Sequence, residues 1–486
     1  MYTKTTKTAG VRLPQYPMLL TVEALRAVFA SCADFQIRQI SLGLAGGRCA
    51  WVCWLDGLVK GEQVSESIIR PLTSALRADG SVPPRESLEL AMAGAVYSYS
   101  ARRRDTLDEA VSDLTHGCCL LLMEGLCRAV SFEVRSDSAR AVSEPTLEKS
   151  IKGARDSFVE TLRVNTALVR RRLATPALKI LESRVGRRSD TTVALLFLEG
   201  KAEAAQVREL AERLDALDVE GLAAAGALES AIVDAPGSPL PQLLHTERPD
   251  RLAQYLLEGR IGLLVDGLPI AFAAPVRLSD FMRVSADAND HPLIASALSL
   301  LRWLALGLSL LLPALYVAVA LYHQEMIPTR LLLSVIEAKR SVPFSTALEV
   351  LGMLISFELL QEAGLHLPNP IGDTVSIIGA LIVGQSAVEA RVVSPIAIIV
   401  VAFAGIAGYT LPSQDLGAAV RLARFGLVLA AIAAGFFGIG AGLCLVLLHL
   451  ASLDSLGQNY TAPLSDGEAR PLKRLLPEGA RRRDGP

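Results

Sequence analysis

Three glutamates stand in apolar surroundings, where a carboxylate is expensive. Glu349, Glu358 and Glu362 fall on the apolar stretch Thr346 to Gln361 or just beyond it, with Leu351 to Phe357 before Glu358 and Leu359-Leu360 after. Glu358 and Glu362 are spaced to share one helix face. Gln385 and Glu389 close the next apolar stretch, Thr374 to Val388, which has Asp373 at its other end. An ionisable group at membrane depth lines a polar pathway or pairs with a partner, and rings of acidic side chains suit a cation path. These five residues are therefore the candidate ion path. The competing reading puts Glu349 and Glu362 at the ends of a short helix, in reach of water. It weighs less on Glu358, which is flanked by apolar residues on both sides.

Those stretches belong to the second part of a two-part chain. Up to about Asp290 charges are well mixed, whereas Leu293 to Leu453 carries uncharged runs that match the hydrocarbon thickness of a bilayer. The first span is expected over Trp303 to Tyr322, kinked at Pro313, with Arg302 snorkelling from its first turn. Met326 to Arg340 reads as an interfacial amphipathic stretch. Thr346 to Gln361 is short for a span and reads as a re-entrant or broken helix. Val392 to Pro412 and Phe425 to Leu450 are the clearest remaining spans, the last with the close-packing signature Gly438-x-x-x-Gly442. The expectation is an all-α polytopic membrane domain over 291–456, with about four spans plus a re-entrant or interfacial element. A basic tail follows over 457–486. Lys473-Arg474 and Arg481-Arg482-Arg483 place that tail in the cytoplasm. Residues 1–17 lack an apolar run of signal-peptide length, so the first part is expected to be cytoplasmic too.

The first part contains an internal duplication. Trp51-Val52-Cys53-Trp54-Leu55-Asp56-Gly57 reads as a strand ending in an acidic-Gly turn before a helix, and Ala194-Leu195-Leu196-Phe197-Leu198-Glu199-Gly200 repeats that order. Asp108 to Gly125 and Asp250 to Gly267 form a second matched pair, ending in Met123-Glu124-Gly125 and Val265-Asp266-Gly267. An acidic-Gly dipeptide between two apolar runs signals a hairpin, because Gly supplies the positive φ. This half is thus expected to be α/β and built of two small duplicated units, over 1–145 and 178–290. The stretch 146–177 lies between them as a solvated linker helix. Its Arg170-Arg171-Arg172 run offers, as a sharper alternative, a contact for anionic lipid or a neighbouring subunit. Gly43-Leu44-Ala45-Gly46-Gly47 lacks the Lys-Ser/Thr of a phosphate loop and reads as a turn.

The 486 residues have room for two or three domains, and a net charge of −2 offers no field to attract nucleic acid. Seven scattered cysteines form no CxxC pair and have no histidines at zinc-ligand spacing, so they read as small buried hydrophobes in a reducing compartment. No metal site, cofactor or nucleophile–base constellation is expected, which excludes the common enzyme classes.

From about Ile151 to Leu456, and more loosely before it, the chain resembles the A subunit of the GerA-type spore germinant receptors. The resemblance rests on Lys152 to Glu160, Thr246-Glu247-Arg248-Pro249-Asp250, Leu257-Glu258-Gly259-Arg260 and Val265-Asp266-Gly267. In the second part it rests on His323-Gln324-Glu325-Met326-Ile327-Pro328-Thr329, Val342-Pro343-Phe344, Phe357 to Gly364, Ile378 to Gln385 and Val393-Ser394-Pro395. Lys339-Arg340-Ser341 stands where the family usually has an acidic-Gly pair, and Asp373 where Gln is common. The resemblance implies a multi-pass protein of the spore inner membrane, with its soluble half on the core side. It implies a homo-oligomer around an ion path, in complex with a transporter-like B subunit and a lipoprotein C subunit. It makes Arg248, Asp250, His323, Glu325 and Pro328 family-motif residues for coupling the two halves. A homologue in the SpoVA dipicolinate-release system shares nearly all these motifs, so an accessory scaffold subunit is the alternative.

Overall fold

Alternating side chains in Phe35–Leu42 (β1) and Arg48–Leu55 (β2) make two strands that pair antiparallel, from Phe35 opposite Leu55 to Leu42 opposite Arg48. The computed structural model describes residues 16, 18–42, 48–78, 84–98, 100–134, 148, 153–222, 225–284, 287, 290–366 and 384–462. Ahead of β1 lies α1 (Val22–Val28), capped by Thr21, whose Oγ1 accepts from the Ala24 amide at 3.1 Å. After β2 come α2 (Gly61–Gln63), a π-helical turn (Val64–Ile69), α3 (Arg70–Ala78) and α4 (Pro84–Leu90). Then follow β3 (Ala101–Arg104), α5 (Leu107–Thr115), β4 (Cys118–Met123) and β5 (Ala129–Glu133). The sheet order is β1-β2-β4-β5-β3.

The second sheet repeats this plan. Its elements are α6 (Leu162–Arg172), β6 (Leu178–Val185), β7 (Thr191–Leu198), α7 (Ala204–Asp215), α8 (Ala225–Ile232), β8 (Leu244–Thr246), α9 (Pro249–Leu257), β9 (Ile261–Val265) and β10 (Ala271–Ala274). Its order is β6-β7-β9-β10-β8, the first sheet's order strand for strand. The α/β expectation is refined in one respect, because the sheets are antiparallel. The reason is local: Glu124-Gly125 and Asp266-Gly267 return β4 onto β5 and β9 onto β10 through tight turns. Gly125 and Gly267 have φ of +77° and +87°, which a side chain would disfavour.

Both central strands are buried along their whole length. In β4, Leu120 and Leu122 pack with α1 and α5, while Cys119, Leu121 and Met123 pack with the π-helical turn and α3. A strand covered on both faces reads as an unbroken apolar run. Cys32, Cys53, Cys118 and Cys119 are buried among these side chains, while Cys127 and Cys444 are exposed. Burial pushes the Cys53 thiol up to about 12 and the Cys119 thiol well above its usual value.

The stretch 146–177, expected as a solvated linker helix, is corrected. Its helix α6 stands before β6 as α1 stands before β1, and it buries Leu162, Ala167, Leu168, Val169 and Arg170. Arg170 ties the two copies together: Nε and Nη2 donate to the two Asp34 oxygens at 3.0 and 2.8 Å. Its Nη1 donates to the carbonyls of Thr175 (3.1 Å) and Leu178 (2.9 Å). A short backbone pairing runs alongside, from Ala33 N to Ile180 O at 2.9 Å and from Ile180 N to Ser31 O at 3.0 Å. Lys179 Nζ adds a bond to Val28 O at 2.9 Å.

The chain divides into two units, and the second holds the helices together with 233–244 and the segment from Pro275 onward. Its helices are α10 (Pro292–Tyr322), α11 (Thr329–Lys339), α12 (Thr346–His366), α13 (384–389), α14 (Pro395–Tyr409) and α15 (Gln414–Ser452). Among the described residues, α10 and α15 are long and apolar enough to cross a membrane, and α14 is a shorter apolar helix of 15 residues. Several expectations change here. The first span, expected from Trp303, belongs to a 31-residue helix that starts at Pro292, with Pro313 inside it as expected. Arg302 does not snorkel: it is buried, donating to Asp287 Oδ2 at 2.7 Å and to the Met282 carbonyl at 2.9 Å. The 21-residue α12 is a single helix, neither short nor broken. Residues 457–462, assigned to the tail, pack with the unit. There β11 (Asp454–Ser455) and β12 (Gln458–Asn459) form a hairpin, and Tyr460 is buried with its hydroxyl donating to Pro241 O at 2.9 Å. The turn at 43–47, Asp373, most of Thr374 to Val388 and the basic run of the tail lie outside the described residues.

Candidate functional site

The helical half carries its charge where α12 meets α15. Glu358 sits eight residues beyond the buried Val350, and Arg421 and Arg424 lie one turn apart on α15, so both arginines present to the same side. Arg424 Nη2 donates to Glu358 Oε1 at 3.0 Å, and Arg421 Nε lies 3.1 Å from Oε2. The Arg424 side chain is 2% exposed, against 28% for Glu358 and 29% for Arg421. Arg424 Nε and Nη1 have no hydrogen-bond partner among the described residues. Two guanidinium groups thus face one carboxylate, leaving one positive charge in excess. Glu358 is therefore a paired anion, one of the two arrangements expected of a carboxylate in an apolar helical stretch.

The other four ion-path candidates do not join it. Glu349 is buried, and its Oε2 accepts from the Ser394 amide (3.1 Å) and hydroxyl (2.7 Å). Ser394 in turn caps α14, accepting from Ala397 N, with Pro395 at the first helical position. Glu349 thus supplies negative charge where the α14 dipole is positive. Glu362 is exposed, and on α13 Gln385 Nε2 donates to Glu389 Oε1 at 3.0 Å, both side chains being exposed.

The family-motif residues fall in two places. Arg248 is buried in the two-sheet half and makes a fork with Asp250, Nε to Oδ1 at 3.0 Å and Nη2 to Oδ2 at 2.7 Å, at the start of α9. The hydrogen bonds it donates to Asp250 hold the Arg248 guanidinium above its usual pKa. In the other unit, His323 ends α10, with Nδ1 3.4 Å from Glu325 Oε1, and Pro328 precedes α11. The His323 ring lies 4.8 Å from that of Phe436.

Phe436 follows a break that the expected Phe425 to Leu450 span did not include. Helical geometry fails at Ala434 (φ −145°, ψ 21°) and Gly435 (φ +57°, ψ −136°). A Cβ on Gly438 would lie 1.9 Å from Ala430 O, and one on Gly442 would lie 2.7 Å from Leu427 Cδ2. Those pairs open outward from the break, so the two arms of α15 fold back antiparallel as a helical hairpin. Gly438-x-x-x-Gly442 is where the arms touch, the close packing that its spacing signals. Tyr322 seals the tip: its ring covers Gly435 and its hydroxyl donates to the Ile432 carbonyl at 2.6 Å. That bond satisfies a carbonyl next to the break.

Sequence reasoning missed Arg421, Arg424, Ser394 and Tyr322. A usable signal existed for the arginines, since two cations one turn apart beside a long apolar run require an acidic partner. Ser394-Pro395 carried the helix-start signal. Nothing local marked Tyr322, whose role depends on the break.

Two duplicated antiparallel sheets followed by an apolar helical half define the class of protein. The chain belongs to the GerA family: the model described as Bacillus/Clostridium GerA spore germination protein matches residues 23–478. It is 35% identical over 444 residues to the uncharacterized membrane protein YfkQ of Bacillus subtilis (strain 168), covering 91% of this chain and 85% of that protein. It is 33% identical over 446 residues to spore germination protein KA of the same organism, covering 92% and 81%. A solved structure, the N-terminal domain of the A subunit of the Bacillus megaterium spore germinant receptor GerK3, is 26% identical. It aligns with a TM-score of 0.40 over 52% of this chain and 92% of that domain.

Proposed function

We propose that the chain is the A subunit of a germinant receptor in the spore inner membrane, a non-enzymatic protein that assembles with copies of itself around a gated ion path. The observation that carries this reading is family membership over nearly the whole chain, including both halves. Leu293, Leu301, Leu304, Phe437, Leu445 and Leu448 are exposed apolar side chains on α10 and α15, and that many suit lipid or neighbouring copies. In this reading the helical half is multi-pass and the two-sheet half faces the spore core. A transporter-like B subunit and a lipoprotein C subunit complete the receptor. Glu358 is the path residue, held closed by Arg421 and Arg424. Glu349 positions α14, and the exposed Glu362, Gln385 and Glu389 face neighbouring copies. Arg248 with Asp250, and His323 with Glu325 and Pro328, carry the coupling between signal and path.

Potassium flux from vesicles tests this, with the chain alone and with the products of its neighbouring genes, as wild type and as Glu358→Gln. Nutrient-dependent flux that the substitution alters is the expected result. No flux from any well-assembled combination overturns the ion path and leaves the accessory scaffold of a dipicolinate-release system.

A further inference from the structure

The Arg421–Glu358–Arg424 cluster is incomplete as a salt bridge. A buried donor without an acceptor costs the full desolvation of that group, and a buried charge without a partner costs more. Arg424 incurs the first at 1% exposure, since only Nη2 is bonded and Nε and Nη1 are not, and its one counter-charge is shared with Arg421. The chemistry of the guanidinium says what is missing. Its five N–H groups form two planar forks, one through Nε and Nη2 and one through Nη1 and Nη2. Glu358 meets Nη2, the nitrogen common to both, so each fork is left half used. Its second oxygen is turned to Arg421. The one carboxylate is thus divided between two cations and completes neither.

We propose that Arg424, with Arg421 beside it, holds a small singly charged anion, a halide or a carboxylate, between α12 and α15. One negative charge cancels the excess, and acceptor atoms on it fill the open halves of the Arg424 forks. A cation is the wrong occupant, because the cluster already carries net positive charge in a poorly solvated place. Glu358 and the bound anion compete for the same donors, so weakening Glu358 strengthens the anion. That sign is opposite to the one expected of a cation site at Glu358. The inference rests on side chains of this chain alone and does not need the receptor reading.

Thermal unfolding of the full-length chain in detergent, with sodium chloride or sodium acetate titrated in, provides the test. The wild type should gain stability in a saturable way with either anion. Glu358→Gln should be the less stable protein without added anion, be rescued by chloride or acetate, and show an apparent affinity about tenfold or more above wild type. Arg424→Gln should lose the saturable gain. Arg421→Gln, at a partly exposed position that the fold tolerates more easily, should weaken it, which keeps the test decisive if Arg424→Gln does not fold. A gain of equal size in wild type and Arg421→Gln is a general salt effect and overturns the proposal. So does a Glu358→Gln protein that neither anion rescues. Flux measurements on the assembled receptor are separate, so a failed ion path and a failed anion site are distinguishable.

Discussion

Arg170 in the two-sheet half and Arg424 in the helical half are both sealed from solvent, at 0% and 1% exposure, yet they are held in different ways. Arg170 makes a fork with Asp34 and gives its remaining nitrogen to two carbonyls. Every nitrogen of that guanidinium is used, and the bonds reach from α6 to the segment before β1. Arg424 has a single bond, to a carboxylate shared with Arg421. Complete satisfaction of a buried ion fixes one arrangement of the chain. Partial satisfaction leaves room for a ligand or for a second arrangement. The two-sheet half therefore reads as a scaffold and the α12–α15 contact as a place where state can change.

The largest expected effect breaks the scaffold side of that contrast. Asp34→Ala leaves Arg170 buried and uncompensated, and should cost about 3–5 kcal/mol. Unfolding of the full chain followed by hydrogen exchange in β1, β6 and α6 would read it. A small loss would mean that Arg170 is as poorly held as Arg424. Glu358→Gln removes a charge-assisted acceptor from Arg424 and should cost less, roughly 1.5–3 kcal/mol at low salt, since Glu358 is partly exposed. Added anion should shrink that loss, whereas the Asp34→Ala loss should not respond.

Gly438→Ala sharpens the geometry. The added Cβ would fall on Ala430 O, so the hairpin that carries Arg424 on one arm must open, at roughly 1–3 kcal/mol. A wild-type melting temperature for this variant would mean that the arms of α15 do not touch there. Thiol labelling compares the halves without substitution. At pH 8, Cys53 and Cys119 stay protonated and buried, so a water-soluble alkylating reagent should mark Cys127 first. Cys444 should react only once lipid is replaced by detergent. The smallest effect is a control: Arg187 and Asp218 pair on the surface of the two-sheet half, and Arg187→Ala should leave the melting temperature unchanged.

The duplication was legible because its signals are local. Acidic-Gly turns require a positive φ, and Gly57, Gly125, Gly200 and Gly267 all have one. The apolar runs between them could only be covered strands. The linker was misread because a charged helix looks solvated until the partner of each charge is known. Arg170 pairs with Asp34, more than a hundred residues away. The glutamates of the apolar stretch stand out for the same local reason as the strands, since a carboxylate among leucines is conspicuous. The roles of Glu349 and Glu358 were not legible, because the groups that satisfy them, Ser394 at the start of α14 and Arg421 with Arg424 on α15, lie far along the chain.

Composition and spacing by themselves determined two halves, two copies in the first, apolar helices in the second, and the glutamates that need explanation. These follow from hydrophobic periodicity, turn chemistry and the cost of burying charge, all of which act over a few residues. Tertiary structure alone decided that Glu349 holds Ser394, the cap of α14, that Glu358 is divided between Arg421 and Arg424, and that α15 folds back at Gly435. The first two are pairings between groups far apart in sequence and the third rests on a backbone break that the apolar run does not announce, so only the folded chain sets which donors and acceptors meet and which are left without a partner.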